Sequence, residues 1–335
     1  MLIIEKQNIS EWLDGLTKKM PVFAPVRREI NGAEESVFGE FKPETKIDFD
    51  YLPTVRSIKE FFLPEKENIF VFDKRKNKIA ESPAPKKFAL FGLNGRDIEA
   101  LAQLDEIMAK PDQDFFYFQK RSAATIIGLL RESEKTVSGC DLILSKINQG
   151  QYEIIVLTEK GRKLVKNKLF KNEPAIITSG GSKSDEIMPQ LSELLKDPEL
   201  LADSVKWSWR QDYAIWEELG NLCLGCGICT YICPLCYCFS SEDSVGLDNN
   251  QCIRARQWDA CTLPRFAQIS GGCNFHKTIK ERYYNWYYHK FVRAYEEYGK
   301  SQCVACGRCQ KYCPAKIDIE KYLIRIVENY KKSRQ

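Results

Sequence analysis

Two cysteine runs constrain this chain more than any other feature of it. Cys223-Leu-Gly-Cys226-Gly-Ile-Cys229-Thr-Tyr-Ile-Cys233-Pro234 is matched by Cys303-Val-Ala-Cys306-Gly-Arg-Cys309-Gln-Lys-Tyr-Cys313-Pro314. Each reads C-x2-C-x2-C-x3-C-P. At that spacing three thiolates wrap one [4Fe–4S] cubane, while the fourth, held before a proline that turns the chain away, reaches a second. The pattern predicts two clusters, one on Cys223, Cys226, Cys229 and Cys313, the other on Cys303, Cys306, Cys309 and Cys233. Crossed ligands require the two distant runs to fold together, so metal binding should be coupled to folding of residues 223–313.

Zinc and disulfides compete for the same cysteines. Zinc ribbons use C-x2-C pairs, but a third cysteine at that spacing followed by C-P, twice over, is foreign to them. Disulfides need an oxidising compartment, and Met1-Leu-Ile-Ile-Glu-Lys is too short an apolar run for a secretory signal. Iron–sulfur chemistry is the preferred reading. A zinc-held scaffold remains the third alternative.

Composition divides the chain. Thirteen of the 14 cysteines follow residue 222 in a sequence of 335 residues, long enough for two domains. Lys+Arg 50 against Asp+Glu 46, a net charge of +4, is too balanced to argue for nucleic acid. No run approaches the roughly 18 apolar residues of a membrane span. Two histidines are too few for a histidine-based metal centre. A soluble, cytoplasmic, anaerobic setting is the expectation.

The N-terminal part alternates strand-like runs (68–72, 87–91, 123–130, 153–157) with helix-like ones (57–63, 97–108, 161–169). This predicts an α+β protein: an α/β-type layered domain over 1–182, then a linker and aromatic helix over 183–222. A mostly helical, ferredoxin-like two-cluster domain comes next over 223–335, with a helical insert at 234–302. Ser179-Gly-Gly-Ser-Lys-Ser-Asp185 is the turn-rich stretch that marks the linker. A helix over 207–219 carries Trp207, Trp209, Tyr213 and Trp216, either as a cover over a cubane or as inter-domain core.

A second helix over 278–298 presents Tyr284, Tyr287, Tyr288, Phe291, Tyr295 and Tyr298 as one aromatic face. Its opposite face, with Lys277, Lys280, Arg282, Lys290 and Arg293, reads as solvated.

Gly225, Gly227 and Gly307 suit loops that pass close to sulfide with their amides inward. The insert adds Cys236, Cys238, Cys252, Cys261 and Cys273. These leave a third metal centre open, with Cys236, Cys238 and Cys261 as its ligands, against the reading of small buried apolar thiols. Cys140 stands alone as a structural residue. Leu93-Asn-Gly-Arg-Asp97 is a weak phosphate-turn pattern, better read as a strand–helix loop. There is no dinucleotide fingerprint, P-loop, nucleophile elbow or zinc-protease motif. No residue set performs bond-making chemistry by itself.

These residues resemble two kinds of iron–sulfur protein: the A-type component of anaerobic sulfite reductases, and the beta subunit of cytosolic nickel–iron sulfhydrogenases. The specific stretches are Cys223 to Phe239, Arg254-Ala-Arg-Gln-Trp-Asp-Ala-Cys261, Gly271-Gly-Cys-Asn-Phe275, Tyr283 to Phe291, and Cys303 to Ile319. Val22-Phe-Ala-Pro25, Pro53-Thr-Val-Arg56, Phe91 to Asp97 and Phe115 to Arg121 extend the likeness more faintly. The resemblance implies a non-catalytic electron-transfer subunit with two [4Fe–4S] clusters. It also implies two partners, one a flavin/NAD(P)-binding subunit, the other a catalytic hydrogenase or reductase subunit. The alternative is a reductase with its own flavin or third metal centre, acting on sulfite, polysulfide or a disulfide. The chain departs from the family where an Arg-Pro-Cys-Asp turn becomes Asn94-Gly-Arg96-Asp97 and where Cys140 lacks neighbouring cysteines. The resemblance therefore implies that an additional N-terminal cluster has been lost. Cys273 stands where a Gly-Gly-His-Asn-Phe histidine is familiar.

Overall fold

The computed structural model describes residues 1–51, 53–81, 83–131, 138–174, 187–210, 214–246 and 250–335. The turn-rich stretch 179–185 and Tyr213 lie outside them. The chain forms two compact units, one of Met1–Phe62 with Ala84–Asp185, the other of Leu63–Pro83 with Glu186–Gln335.

The first unit is built on an eight-stranded sheet. Its order is Lys171–Asn172, Leu2–Glu5, Gln151–Val156, Leu142–Lys146, Ala124–Leu130, Phe88–Leu93, Val22–Ile30 and Ala33–Glu40. The four strands from Leu142–Lys146 to Val22–Ile30 run parallel, and the edges are antiparallel. Ala124–Leu130 is buried along its whole length, which explains its unbroken apolar run: a central parallel strand is covered on both faces. Helix Gly95–Met108 follows Phe88–Leu93, and Asn94 caps it by accepting from the Asp97 amide at 2.9 Å. The side chain thus occupies the helix end that a phosphate turn would leave free, and Asn94 to Asp97 is a strand–helix loop. Trp12 packs edge-on against Phe91 and Phe170 in the core below.

The second unit contains a four-stranded antiparallel sheet, ordered Phe239–Val245, Gln251–Trp258, Lys66–Asp73 and Lys78–Glu81. The strand read at 68–72 as part of the N-terminal domain belongs here. It pairs with a hairpin nearly two hundred residues later. A buried ion pair, Arg256 to Glu67 at 2.8 Å, crosses the same two strands. The insert, expected to be helical, therefore carries this hairpin as well as a helix.

The rest of the unit is helical. Where one helix was expected over 207–219 there are two, Pro198–Arg210 and Ile215–Leu222. The helix expected over 278–298 begins at a capping box on Thr278 and Glu281 and runs as Ile279–Tyr287. It then widens into a π-turn over Tyr288–Arg293 and resumes as Ala294–Tyr298 before Gly299 ends it. A π-turn inserts a residue into the helical repeat and rotates the side chains beyond it. The buried face is Arg282, Tyr283, Trp286, Tyr287, Lys290, Phe291 and Val292; it keeps Tyr287 and Phe291 of the aromatic stripe read from the sequence, while Tyr284, Tyr288, Tyr295 and Tyr298 are half-buried. Two members of the supposedly solvated basic face, Arg282 (6% exposed) and Lys290 (3%), are buried. C-terminal helix Ile319–Ser333 closes the core with Ile319, Tyr322, Leu323, Ile326 and Val327 at helical spacing.

Candidate metal centres

Both cysteine runs adopt one local conformation. Gly225 and Ala305 are left-handed at φ 62° and 48°, and Gly227 and Gly307 at 78° and 73°. Gly227 and Gly307 each sit at the start of a one-turn helix, Ile228–Tyr231 and Arg308–Lys311. A Cβ at either would run into a neighbouring side chain, Ala260 or Ile187, so only glycine keeps these turns closed. The matching bend at Ala305 uses an ordinary residue in a glycine conformation, which the sequence did not reveal.

The runs line two cavities. Cys223, Cys226, Cys229 and Cys313 face the first, together with Tyr283 and Trp286. Cys233, Cys303, Cys306 and Cys309 face the second, together with Lys290. Cys309 and Ile319 face both, so the cavities share a wall. The water-excluding rings of the first cavity are therefore Tyr283 and Trp286. Trp209 and Trp216 pack behind them, against Tyr284 and Tyr287, and Trp207 meets Tyr330.

A [4Fe–4S] group suits these surroundings on several counts. Amides already point at sulfur: Gly225 N–H donates to Cys223 Sγ (3.4 Å), Ala305 to Cys303 (3.5 Å), and Ile317 to Cys313 (3.4 Å). In the first cavity Thr262 Oγ1 and Trp286 Nε1 are buried without a hydrogen-bond partner, which a sulfide-rich ligand would supply. In the second, Lys290 Nζ donates to Cys233 Sγ at 3.2 Å and to the Gln302 carbonyl at 3.3 Å. Cys236 lies beside Cys233, and that neighbour and burial hold its thiol well above the usual value. No carboxylate faces Lys290 among the described residues. Burial works against its charge, yet the thiols of Cys233, Cys236, Cys303 and Cys309 hold its pKa well above the usual lysine value. Buried ammonium needs negative charge beside it, and ligated thiolates would provide it.

Burial pushes Cys229 up to about 12 and Cys303 to about 11. These thiols stay protonated until a metal displaces the proton. A single zinc ion would need its sulfurs about 3.8 Å apart around bonds of about 2.3 Å. Among the described residues, no three histidine, cysteine or acidic side chains are grouped so as to hold a single metal ion. Spread thiols around a cavity suit a multi-iron group instead.

The remaining cysteines are placed differently. Cys236, Cys238 and Cys261 line a third, wider cavity of about 330 Å³ with His289 and Arg293. Cys252 lies half-buried in the strand Gln251–Trp258 of the sheet, Cys273 is exposed, and Cys140 is buried in the first unit. Burial and its Asp141 neighbour push Cys140 up to about 12.

Comparison with known proteins gives a consistent picture. Residues 222–317 match the family model of the 4Fe-4S dicluster domain. The chain is similar to sulfhydrogenase 2 subunit beta of Pyrococcus furiosus, with 26% identity over 338 residues, covering 97% of this chain and 98% of the relative. No solved structure matches. Both likenesses support the resemblance drawn from the cysteine motifs, and with it an iron–sulfur electron-transfer subunit carrying 4Fe–4S clusters. No helix among the described residues is long and apolar enough to cross a membrane.

Proposed function

We propose that this chain is the electron-relay subunit of a multi-subunit oxidoreductase. It would hold one cluster on Cys223, Cys226, Cys229 and Cys313 and a second on Cys303, Cys306, Cys309 and Cys233. Its partners would be a flavin/NAD(P)-binding subunit on one side and a catalytic hydrogenase or sulfite/sulfur reductase subunit on the other. One observation carries the reading: two adjoining cavities lined by the eight motif cysteines, five in the first and four in the second with Cys309 shared, one of them with a buried lysine against a sulfur. When bound, each cubane supplies a one-electron donor and acceptor.

The chain's own residues do the rest. Tyr283 and Trp286 keep water from the first cavity. The shared wall at Cys309 keeps the path between cavities short. Amides and Lys290 offset negative charge on the sulfurs, which favours the reduced state and raises the potential. Leu222 and Leu224, 42% and 66% exposed on the approach to the first cavity, form an apolar collar where electrons could enter or leave.

Anaerobic reconstitution tests the reading. About eight irons per chain and two interacting cubane signals by electron paramagnetic resonance after reduction are expected. Zinc, or a colourless protein, would sink it. Bound flavin, or reduction of sulfite, polysulfide or a disulfide by the isolated chain, would instead favour the catalytic alternative.

A further inference from the structure

A cavity of about 400 Å³ belongs wholly to the first unit, which holds none of the cluster cysteines. Its wall carries five lysines, Lys19, Lys87, Lys160, Lys163 and Lys166, and no carboxylate among the described residues. The chain as a whole is nearly balanced, at +4 over 335 residues, so this concentration of one sign is local. The acids beside these lysines in sequence are engaged elsewhere, Asp14 with Lys18 at 3.4 Å and Glu159 with Arg162 at 3.2 Å. None of the five lysines has an ion-pair partner among the described residues.

Helix ends account for part of this charge. The C-terminal turns of Ile9–Thr17, Phe115–Ala123 and Glu159–Leu164 all reach the cavity. Lys160 donates to Ser122 O at 2.7 Å and to Ala124 O at 2.9 Å. Each such end is worth about half a negative charge, so three of them offset fewer than two of the five lysines. The surplus suits a bound anion.

The rest of the lining says which kind. A planar carboxylate is met best by the fork of an arginine, whereas point-like ammonium groups suit the many oxygens of a phosphate chain. No arginine lines the cavity among the described residues. Trp12 and Leu16, 4% and 5% exposed, form an apolar floor with Met20 and Leu164. The Trp12 indole N–H is spent on Leu164 O at 3.2 Å, which leaves its ring for a ligand. Thr125, 7% exposed, joins this floor with a hydroxyl that has no hydrogen-bond partner among the described residues. The volume falls within the roughly 300–1,000 Å³ of small-molecule sites.

We propose that this cavity binds a nucleoside di- or triphosphate, its phosphates among the lysines and its base over the floor of Trp12, Leu16, Met20 and Leu164. The proposal is independent of the clusters. The cavity lies where the parallel strands begin: Lys87 precedes Phe88–Leu93, and Ser122 and Ala123 precede Ala124–Leu130. Open α/β sheets carry out their chemistry at the opposite, carboxyl edge, so the nucleotide is held here rather than transformed.

Equilibrium dialysis of the full-length chain after anaerobic reconstitution tests this, with ATP, ADP, adenosine and pyrophosphate as probes, each without magnesium. ATP or ADP should bind once per chain. Either should bind about tenfold tighter than adenosine or pyrophosphate, since floor and lysines act together. Raised ionic strength should weaken binding severalfold. The double variant Lys163→Gln with Lys166→Gln, both exposed, should weaken it about tenfold. Lys74→Gln with Lys76→Gln, in the second unit, should leave it unchanged.

No nucleotide binding at millimolar concentration, pyrophosphate binding as tight as that of ATP, or affinity indifferent to Lys163 and Lys166 would each overturn the proposal. Iron content and cubane signals should be the same in both double variants, so none of these results bears on the relay reading.

Discussion

The first and second cysteine cavities share a motif, a loop conformation and a wall, yet differ in what touches their sulfurs. Each has a buried cation from the same helix beside it. Arg282 is held by carbonyls alone, donating to Thr262 O at 3.0 Å and Lys277 O at 2.8 Å, and acts on Cys223 from a distance. Lys290 instead reaches a sulfur, donating to Cys233 Sγ at 3.2 Å. The first cavity also opens toward exposed Leu224 and Cys226, whereas in the second Cys233 is buried and Cys303, Cys306 and Cys309 are half-buried. Identical ligand spacing therefore does not imply identical clusters. Charge and access are set by residues outside the motif.

Removing a ligand should break the comparison most visibly. Cys226→Ser should cut iron from about eight to about four per chain and leave one cubane signal, read by metal analysis and paramagnetic resonance. Loss of all iron would mean that neither cavity loads without the other.

Lys290→Met should come next. Removing a charge-assisted donor from the reduced state should lower one midpoint by about 60 mV, one decade for a one-electron couple, while the other stays in place. Equal shifts in both would erase the asymmetry argued from Cys233.

A smaller effect separates the cavities by access: under limited oxygen or chelator, the more exposed first cavity should lose iron several-fold faster. Loss at equal rates would show that Leu224 and Cys226 leave it no more open.

The weakest concerns the outer helices flanking the first cavity. Hydrogen bonds from Arg325 and Tyr322 hold the Glu218 carboxyl below its usual range. A lowered carboxylate stabilises the fold above its unfolded value near 4.5, and that contribution fades as pH falls through the lower folded value. Glu218 is exposed, so Glu218→Gln should cost less than about 1 kcal/mol at neutral pH and nothing in acid, by thermal melting.

Much of this was legible in the cysteines, because ligand spacing is a local property and survives any rearrangement of the surrounding chain. The strands Ala124–Leu130 and Phe88–Leu93 were legible for a similar reason: buried parallel strands announce themselves as apolar runs. Lys290 was not. Its charge put it on a wet face, although it stands four residues after buried Trp286 and seven after buried Tyr283 on one side of the helix. The sheet of the second unit was hidden for another reason. Lys66–Asp73 looks like an ordinary strand and Gln251–Trp258 was read as part of a helical insert, and nothing local tells either which distant partner it will take.

That pairing bears on any attempt to cut the protein apart. A fragment starting at residue 187 would keep every cluster cysteine but lack Lys66–Asp73 and Lys78–Glu81, half of its own β-layer. Gln251–Trp258 would then become a raw margin, its amides and carbonyls free to recruit another copy. Excised in that way, the metal-bearing half should precipitate or self-associate; restoring 63–83 as a separate peptide or a grafted leader should make it soluble.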